Sequence, residues 1–241
     1  MLDFLRSVGV VITRARNVDP EERMNVVLSR ELVDVDLFVD VGANRGQSYK
    51  RVRGLNYLES YLAIEPEEVC FSKLLEIGRL DNDFFTKKCA VGEYNGKVQL
   101  NVANNDALSS SILEFSMGHL AAAPEIRMVG AQEVPLMTLS TILSDFNQSN
   151  IFLKIDVQGF EIDVLKGIES NDWSRIRGAL IECNLVDTYI GSSLMEDVFL
   201  VMRNKGFFPF RLENGFGEPN FGQQLQVDVL FKRSAAFEKL K

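Results

Sequence analysis

The stretch DLFVDVGANRGQ, Asp36 to Gln47, decides the fold: an apolar run ends in an acid, and two glycines follow with a small and a polar residue between them. The run does not alternate, which is how a strand buried on both faces reads. Gly42 and Gly46 let the backbone turn sharply and approach a ligand with no side chain in the way. Gln47 to Arg53 reads as a short helix with a polar face, whose free N–H groups point at whatever the turn holds. In an open α/β sheet the first strand-to-helix turn is the usual ligand cradle.

Working outward, short apolar runs alternate with segments of helical period. The strand candidates are 36–41, YLAIE (61–65), FFTKKCAV (84–91), IFLKIDV (151–157), GALIEC (178–183), FFPFRL (207–212) and VDVLFK (227–232). The helix candidates beyond 47–53 are 67–77, 160–167 and 194–205, the last closed by Gly206 as a C-terminal glycine. This order is that of a doubly wound α/β domain. The final two strands are joined by a Gly- and Asn-rich segment without helical period, so they form an antiparallel hairpin at one end of the sheet. Between Gly92 and Pro135 runs a long excursion in which only KVQLNVA alternates like a strand; loops of this length are binding lids or edge decoration.

The 241 residues, 46% hydrophobic and 25% charged, suffice for a proper core, and no linker, repeat or low-complexity tract divides them. Residues 1–35 are read as an N-terminal helical segment and 36–241 as the ligand-binding domain. A formal charge of -8 argues against a protein whose task is to neutralise nucleic-acid phosphates, so no nucleic-acid partner is expected. Three scattered cysteines indicate neither a disulfide framework nor a zinc site. The N-terminus fits a signal peptide poorly, and no run approaches the roughly 20 apolar residues of a membrane span, so a cytoplasmic location is expected. The first segment is either a helix packed on its own domain or an amphipathic helix lying on a membrane.

Three ligands compete for the turn. A nucleoside triphosphate needs a Lys and a Ser or Thr that are missing, and Ala43 and Asn44 spoil the G-x-G-x-x-G spacing of a dinucleotide site. Asp40 just before the glycines would repel pyrophosphate and attract an amino or sulfonium group. Glu65 ends the second strand where a carboxylate bonds the ribose hydroxyls of an adenosine, and Pro66 stops the strand. Asp40 and Glu65 can also merely cap backbone amides. Together they favour S-adenosylmethionine.

At IFLKIDVQGFEIDVLKGI, Ile151 to Ile168, the chain resembles the FkbM family of S-adenosylmethionine-dependent methyltransferases. DVGANRG, the pair Glu65–Pro66, AVG (90–92), LSSSIL (108–113), LKIDVQGFEIDVLKG and QVDVLF (226–231) follow the family pattern from about residue 36 to 232. The resemblance implies a Rossmann-like class I methyltransferase fold, a seven-stranded mostly parallel sheet with the last pair reversed. It implies methyl transfer to a hydroxyl oxygen of a sugar, glycan or natural-product scaffold. Asp40, Gly42, Ala43, Asn44 and Gly46 would surround the methionine part, Glu65 with Pro66 the ribose, and Ala90 with Val91 the adenine. The other readings are a nicotinamide-dependent oxidoreductase and a cofactor-binding module without turnover.

An alcohol is a poor nucleophile until its proton leaves, so a base is expected beside the acceptor. Asp156, at the end of the fourth strand candidate and next to the cradle, is the leading candidate. Lys154 shares its face and must be paired, with Asp156 or with Glu182 on the neighbouring strand. Glu182 and His119, the only histidine, are the other catalytic candidates. Glu161 reads as a cap for the helix it opens. Ser109, Ser110 and Ser111 bond substrate or form a turn, and Phe216 and Phe221 wall the acceptor or close the core. No metal is expected, because no acidic spacing like that of a calcium loop supports one.

Overall fold

The computed structural model describes residues 20–219 and 222–233. Ten strands are β1 (Leu37–Val41), β2 (Ser60–Ile64), β3 (Phe84–Lys87), β4 (Ala90–Val91), β5 (Gly96–Ala103), β6 (Met128–Met137), β7 (Ile151–Ile155), β8 (Ile176–Asn184), β9 (Phe207–Asn214) and β10 (Gln226–Arg233). The helices are α1 (Pro20–Glu31), α2 (Gln47–Gly54), α3 (Glu68–Gly78), α4 (Met117–Ala122), α5 (Leu139–Leu143), α6 (Glu161–Lys166), α7 (Ser170–Arg175) and α8 (Met195–Asn204).

The main sheet runs β3-β2-β1-β7-β8-β10-β9. β3, β2, β1, β7 and β8 are parallel, whereas β10 runs antiparallel to β8 and β9 antiparallel to β10, the expected terminal hairpin. The chain leaves β1 in one direction and returns on its other side at β7, so the strand order reverses between them. A crevice opens outside the carboxyl ends of the strands at such a point.

Strand parity sorts the core into two faces. Leu37, Val39 and Val41 of β1 join Leu139, Val164, Trp173, Val198 and Met202 on one side. Phe38 joins Tyr61, Phe152 and Leu230 on the other, under Met24, Leu28 and Leu32 from the α1 end of the chain. α1 therefore covers the sheet face that carries Asp40 and Lys154. The first 19 residues of the proposed N-terminal segment, and Phe221, lie outside the described residues.

Two expectations are corrected. FFTKKCAV is not one strand: β3 ends at Lys87, and Ala90–Val91 pairs with β6 in a second sheet. β2 can no longer support β3 once Pro66, which has no N–H, is reached. The excursion folds as a three-stranded sheet of order β4-β6-β5 rather than holding a lone strand. β6 escapes sequence reading because Gly130 and Pro135 interrupt it. β4 reaches only Leu136 and Met137, so Pro135 pairs on one side alone, with Lys97. Among the described residues, no helix is long and apolar enough to cross a membrane.

Candidate active site

The turn after β1 is fixed by its backbone. Gly42, at φ 81°, sits so close to β7 that a Cβ there would lie 1.9 Å from the carbonyl oxygen of Asp156. The Gly42 and Ala43 amides both donate to the Ile64 carbonyl at 3.0 Å. The Asn44 amide donates to Glu65 Oε2 at 2.8 Å, with Asn44 itself left-handed at φ 46°. Glu65 Oε1 accepts from the Glu67 amide at 2.8 Å. Burial pushes the Glu65 carboxyl up to about 7, against the pull of these two amides.

A cavity of about 660 Å³, counted with its open mouth, lies where the strand order reverses. The β1 turn contributes Gly42 and Asn44, and the end of β2 contributes Glu65 and Pro66. Cys89, Ala90, Val91, Leu100, Ile112 and Phe160 form an apolar slot at one end. Asp156 and Gln158 supply polar groups from the turn after β7, and Ala107, Leu108, Ser110 and Ser111 form a rim. Of the residues expected to surround the cofactor, Gly42, Asn44, Glu65, Pro66, Ala90 and Val91 thus meet in one cavity, together with the base candidate Asp156.

Asp40, Ala43 and Gly46 do not line it. Asp40 is fully buried beneath the turn. Its Oδ2 accepts from the Tyr61 hydroxyl at 2.6 Å, and Oδ1 lies 3.2 Å from Lys154 Nζ, its register partner on β7. Parity explains the correction: Asp40 points the way of Phe38, into the sheet face, not into the crevice. Ala43 packs in the Phe38 core, and Gly46, at φ 82°, closes the turn as the N-cap of α2.

Lys154 reaches Asp40 at 3.2 Å and Asp156 at 3.3 Å, so Asp156 rather than Glu182 is its second partner. Burial opposes its charge, but Asp40 and then Asp156 outweigh burial and hold the ammonium above the ordinary lysine value. Glu182 lies off the cavity wall. Its Oε2 accepts from Gln158 Nε2 at 2.7 Å and from Gln226 Nε2 at 2.9 Å. Burial first, then the charges of Asp156, Glu161 and Asp228, raise Glu182 well above the usual carboxylate range. Burial and these charges disfavour its ionised form, and it does not reach the cavity, whereas Asp156 does.

His119 is also displaced from the expected site. It is buried, 4% exposed, its ring stacked on Phe115 at 4.0 Å between centroids, with Tyr189 and Phe216 alongside. Burial lowers its pKa. Phe216 thereby belongs to a packed cluster. Glu161 caps the turn before its helix: Oε1 accepts from the Val157 amide at 3.2 Å and the Gly159 amide at 3.0 Å. The three serines divide their roles. Ser111 Oγ donates to the Gln158 carbonyl at 2.7 Å, while the Ser110 and Ser109 side chains serve the local turn. Gln158, which the sequence reading passed over, lies between Val157 and Gly159 in the KIDVQG motif. Among the described residues, no group of three or more His, Cys, Asp or Glu side chains is arranged to hold a metal ion.

A parallel sheet with a reversed end and a nucleoside-sized crevice at its switch point defines a Rossmann-like methyltransferase fold. The chain belongs to the family of the methyltransferase FkbM domain, whose model matches residues 40–209. A curated relative, "Methyltransferase sdnD" of Sordaria araneosa, is 24% identical over 192 residues, 70% of this chain and 72% of that protein. Among solved structures, the methyltransferase FkbM of Methylobacillus flagellatus KT superposes with a TM-score of 0.50 at 14% identity, over 81% of this chain. The chain spans 44% of that structure's length.

Proposed function

We propose that this chain transfers a methyl group from S-adenosylmethionine to a hydroxyl oxygen of a small molecule, sugar or glycan, with Asp156 as the base. The observation that carries the reading is the meeting, in one cavity, of a carboxylate at the end of β2, an apolar slot and a second carboxylate on the next turn.

The residues suit the cofactor. Gly42 lines the cavity with backbone alone, and the lack of a Cβ there lets the turn pack against the Asp156 carbonyl beside it. Glu65 uses one lone pair of each oxygen on an amide and keeps the others for ribose hydroxyls. Ala90, Val91 and Phe160 offer flat apolar walls to a purine. Bound S-adenosylmethionine supplies an electrophilic methyl group on a sulfonium sulfur.

Asp156 lies at the polar end of the cavity, one-third exposed, with its Oδ2 on Lys154 and its Oδ1 on Gln158. Its carboxylate takes the proton of the acceptor hydroxyl as the oxygen bonds to carbon, so that a methyl ether, a thioether and one proton are the products. Lys154 pairs with Asp156 and fixes one of its oxygens, and the enclosing walls align the reactants and exclude water, effects worth of order 7–11 kcal/mol in favourable models.

A thermal melt tests the cofactor: S-adenosylhomocysteine raises the midpoint and NAD does not. Stabilisation by NAD alone overturns the reading in favour of an oxidoreductase. A tritiated-methyl screen over glycans and hydroxylated metabolites then finds the acceptor. Asp156→Asn is expected to bind S-adenosylhomocysteine and to lose at least about a hundredfold in turnover, the usual worth of a general base; full turnover would remove Asp156 from that role.

A further inference from the structure

Gln158 has every polar atom of its side chain committed. Nε2 donates to Asp156 Oδ1 at 2.8 Å and to Glu182 Oε2 at 2.7 Å, while Oε1 accepts from the Tyr189 hydroxyl at 2.7 Å. Its backbone is left-handed at φ 57°, a conformation unfavourable for a residue with a Cβ, and its carbonyl is held by Ser111 Oγ at 2.7 Å. Four segments therefore converge to hold one neutral amide in one orientation: the β7 turn, the end of β8, the loop after β8 and the serine-rich rim.

We propose that Gln158 is a positioning residue for methyl transfer, its amide locking the Asp156 carboxylate in the plane of attack while bridging it to Glu182 without adding charge. This inference rests on the proposed methyltransferase reading and deepens it.

The need for such a bridge follows from the surroundings. β8 and β10 set Glu182 opposite Asp228, and Asp228 in turn faces Glu213 on β9. Glu161 on α6 adds a further acid that acts on Glu182. Lys154 on β7 faces this group but is already shared between Asp40 on β1 and Asp156, and Arg51 on α2 acts on Asp228. Tyr189 adds a phenol whose proton burial holds in place. The charge of Asp156 disfavours ionisation of Glu182 beside it. A donor with two N–H groups satisfies one oxygen of each, which neither a hydrophobic nor an acidic side chain can do. With Gln158 on Oδ1 and Lys154 on Oδ2, Asp156 cannot rotate, and its free lone pairs keep one direction. Because Tyr189 OH also lies 3.2 Å from the Ser109 carbonyl, the same hydroxyl joins this amide to the cavity rim.

The test uses the full chain with 13C-labelled Asp and Glu side chains, titrated by NMR with S-adenosylhomocysteine bound. Donors to an ionised carboxylate favour it, so their loss raises its pKa. In Gln158→Met, of similar length but without donors, the Asp156–Glu182 pair is expected to titrate upward by more than about one unit. Binding of S-adenosylhomocysteine by calorimetry should change less than about threefold. Tyr189→Phe, which frees Oε1 but touches neither acid, is expected to move the pair the same way by less, and it serves if Gln158→Met does not fold. Titrations that superimpose on wild type in the folded variant overturn the inference while wild-type binding upholds the cofactor reading. A wild-type chain that binds no S-adenosylhomocysteine overturns both.

Discussion

Two strand-to-helix turns lie side by side at the switch point of the sheet, one after β1 and one after β7. Each carries a non-glycine residue in the left-handed region, Asn44 at φ 46° and Gln158 at φ 57°, and each contains a glycine of positive φ soon after. Each is held by a buried glutamate that accepts turn amides, Glu65 for the first and Glu161 for the second. Their use differs. The first turn lines the cavity mainly with backbone, and its shape is set by Gly42 and by hydrogen bonds to the end of β2. The second presents side chains, Asp156 and Gln158, whose orientation is set by Ser111, Glu182 and Tyr189. The first turn thus shapes its side of the cavity with main chain, and the second with a side-chain network laid over the same local geometry.

The sharpest break of this comparison is at the glycines. A Cβ on Gly42 would meet the Asp156 backbone oxygen at 1.9 Å, and backbone cannot step aside as a flexible side chain can. Gly42→Ala should therefore cost about 3 kcal/mol or more in denaturant unfolding, overpacking and a left-handed alanine together. A Cβ on Gly159 would meet the Ser192 Cβ at 2.9 Å, a lesser clash with a side chain. Gly159→Ala is expected to lose roughly 1–3 kcal/mol. Equal losses, or a milder one at Gly42, would contradict the contrast between a first turn set by close backbone contact and a second set by side chains.

The two glutamates sharpen it next. Burial raises each to about 7. For a carboxyl whose folded pKa is raised, the stabilising contribution is complete below the unfolded value near 4.5 and is lost as pH climbs through 7. Both turns should therefore lose stability over that window. Under the proposed function Glu65, and not Glu161, meets the ribose, whose hydroxyl protons it receives best when ionised. S-adenosylhomocysteine should bind about tenfold tighter at pH 8 than at pH 6, with proton release on binding. Glu65→Gln should flatten that dependence, whereas Glu161→Gln should leave it intact. Calorimetry in two buffers of different ionisation enthalpy reads both outcomes, and a dependence that survives Glu65→Gln would assign it elsewhere.

The same contrast explains what could be read from sequence. The first turn was legible because its determinants are contiguous: glycines in DVGANRG, an acid and a proline ending the next apolar run. Ala90 and Val91 came from the resemblance and do line the cavity. Asp40 was misjudged although the signal was present, since its parity with Phe38 and its matching position to Lys154 put it inside the sheet face. Gln158 carried no local signal, because apart from Asp156 its partners Glu182, Tyr189 and Ser111 lie 24 to 47 residues away in sequence. His119 looked free in a long excursion only because nothing local announces the burying contacts of Phe115, Tyr189 and Phe216. The second sheet was hidden by Pro135 and Gly130, residues that a pattern search treats as breaks.

The smallest effect concerns the seam where the first turn meets the cavity rim. Arg45 of the turn pairs with Asp106 at 3.0 Å, and Asn44 Nδ2 donates to the Asp106 carbonyl at 3.2 Å. Asp106 and Ala107 are both left-handed, at φ 58° and 60°, which folds the rim back over the crevice. The ion pair is solvent-exposed, so it contributes little to global stability, and Arg45→Ala should leave the melting temperature of the free chain unchanged. Its place is at the mouth, between the cofactor cradle and the segment that supplies Leu108 and Ser111 to the wall. Loosening it should speed dissociation of S-adenosylhomocysteine a few-fold with little change in association, and added salt should do the same to wild type while hardly affecting the variant. Stopped-flow displacement at two ionic strengths measures this. If wild type and Arg45→Ala respond to salt alike, the seam takes no part in holding the cofactor, and the rim is fixed instead through Ser111, Tyr189 and the second turn.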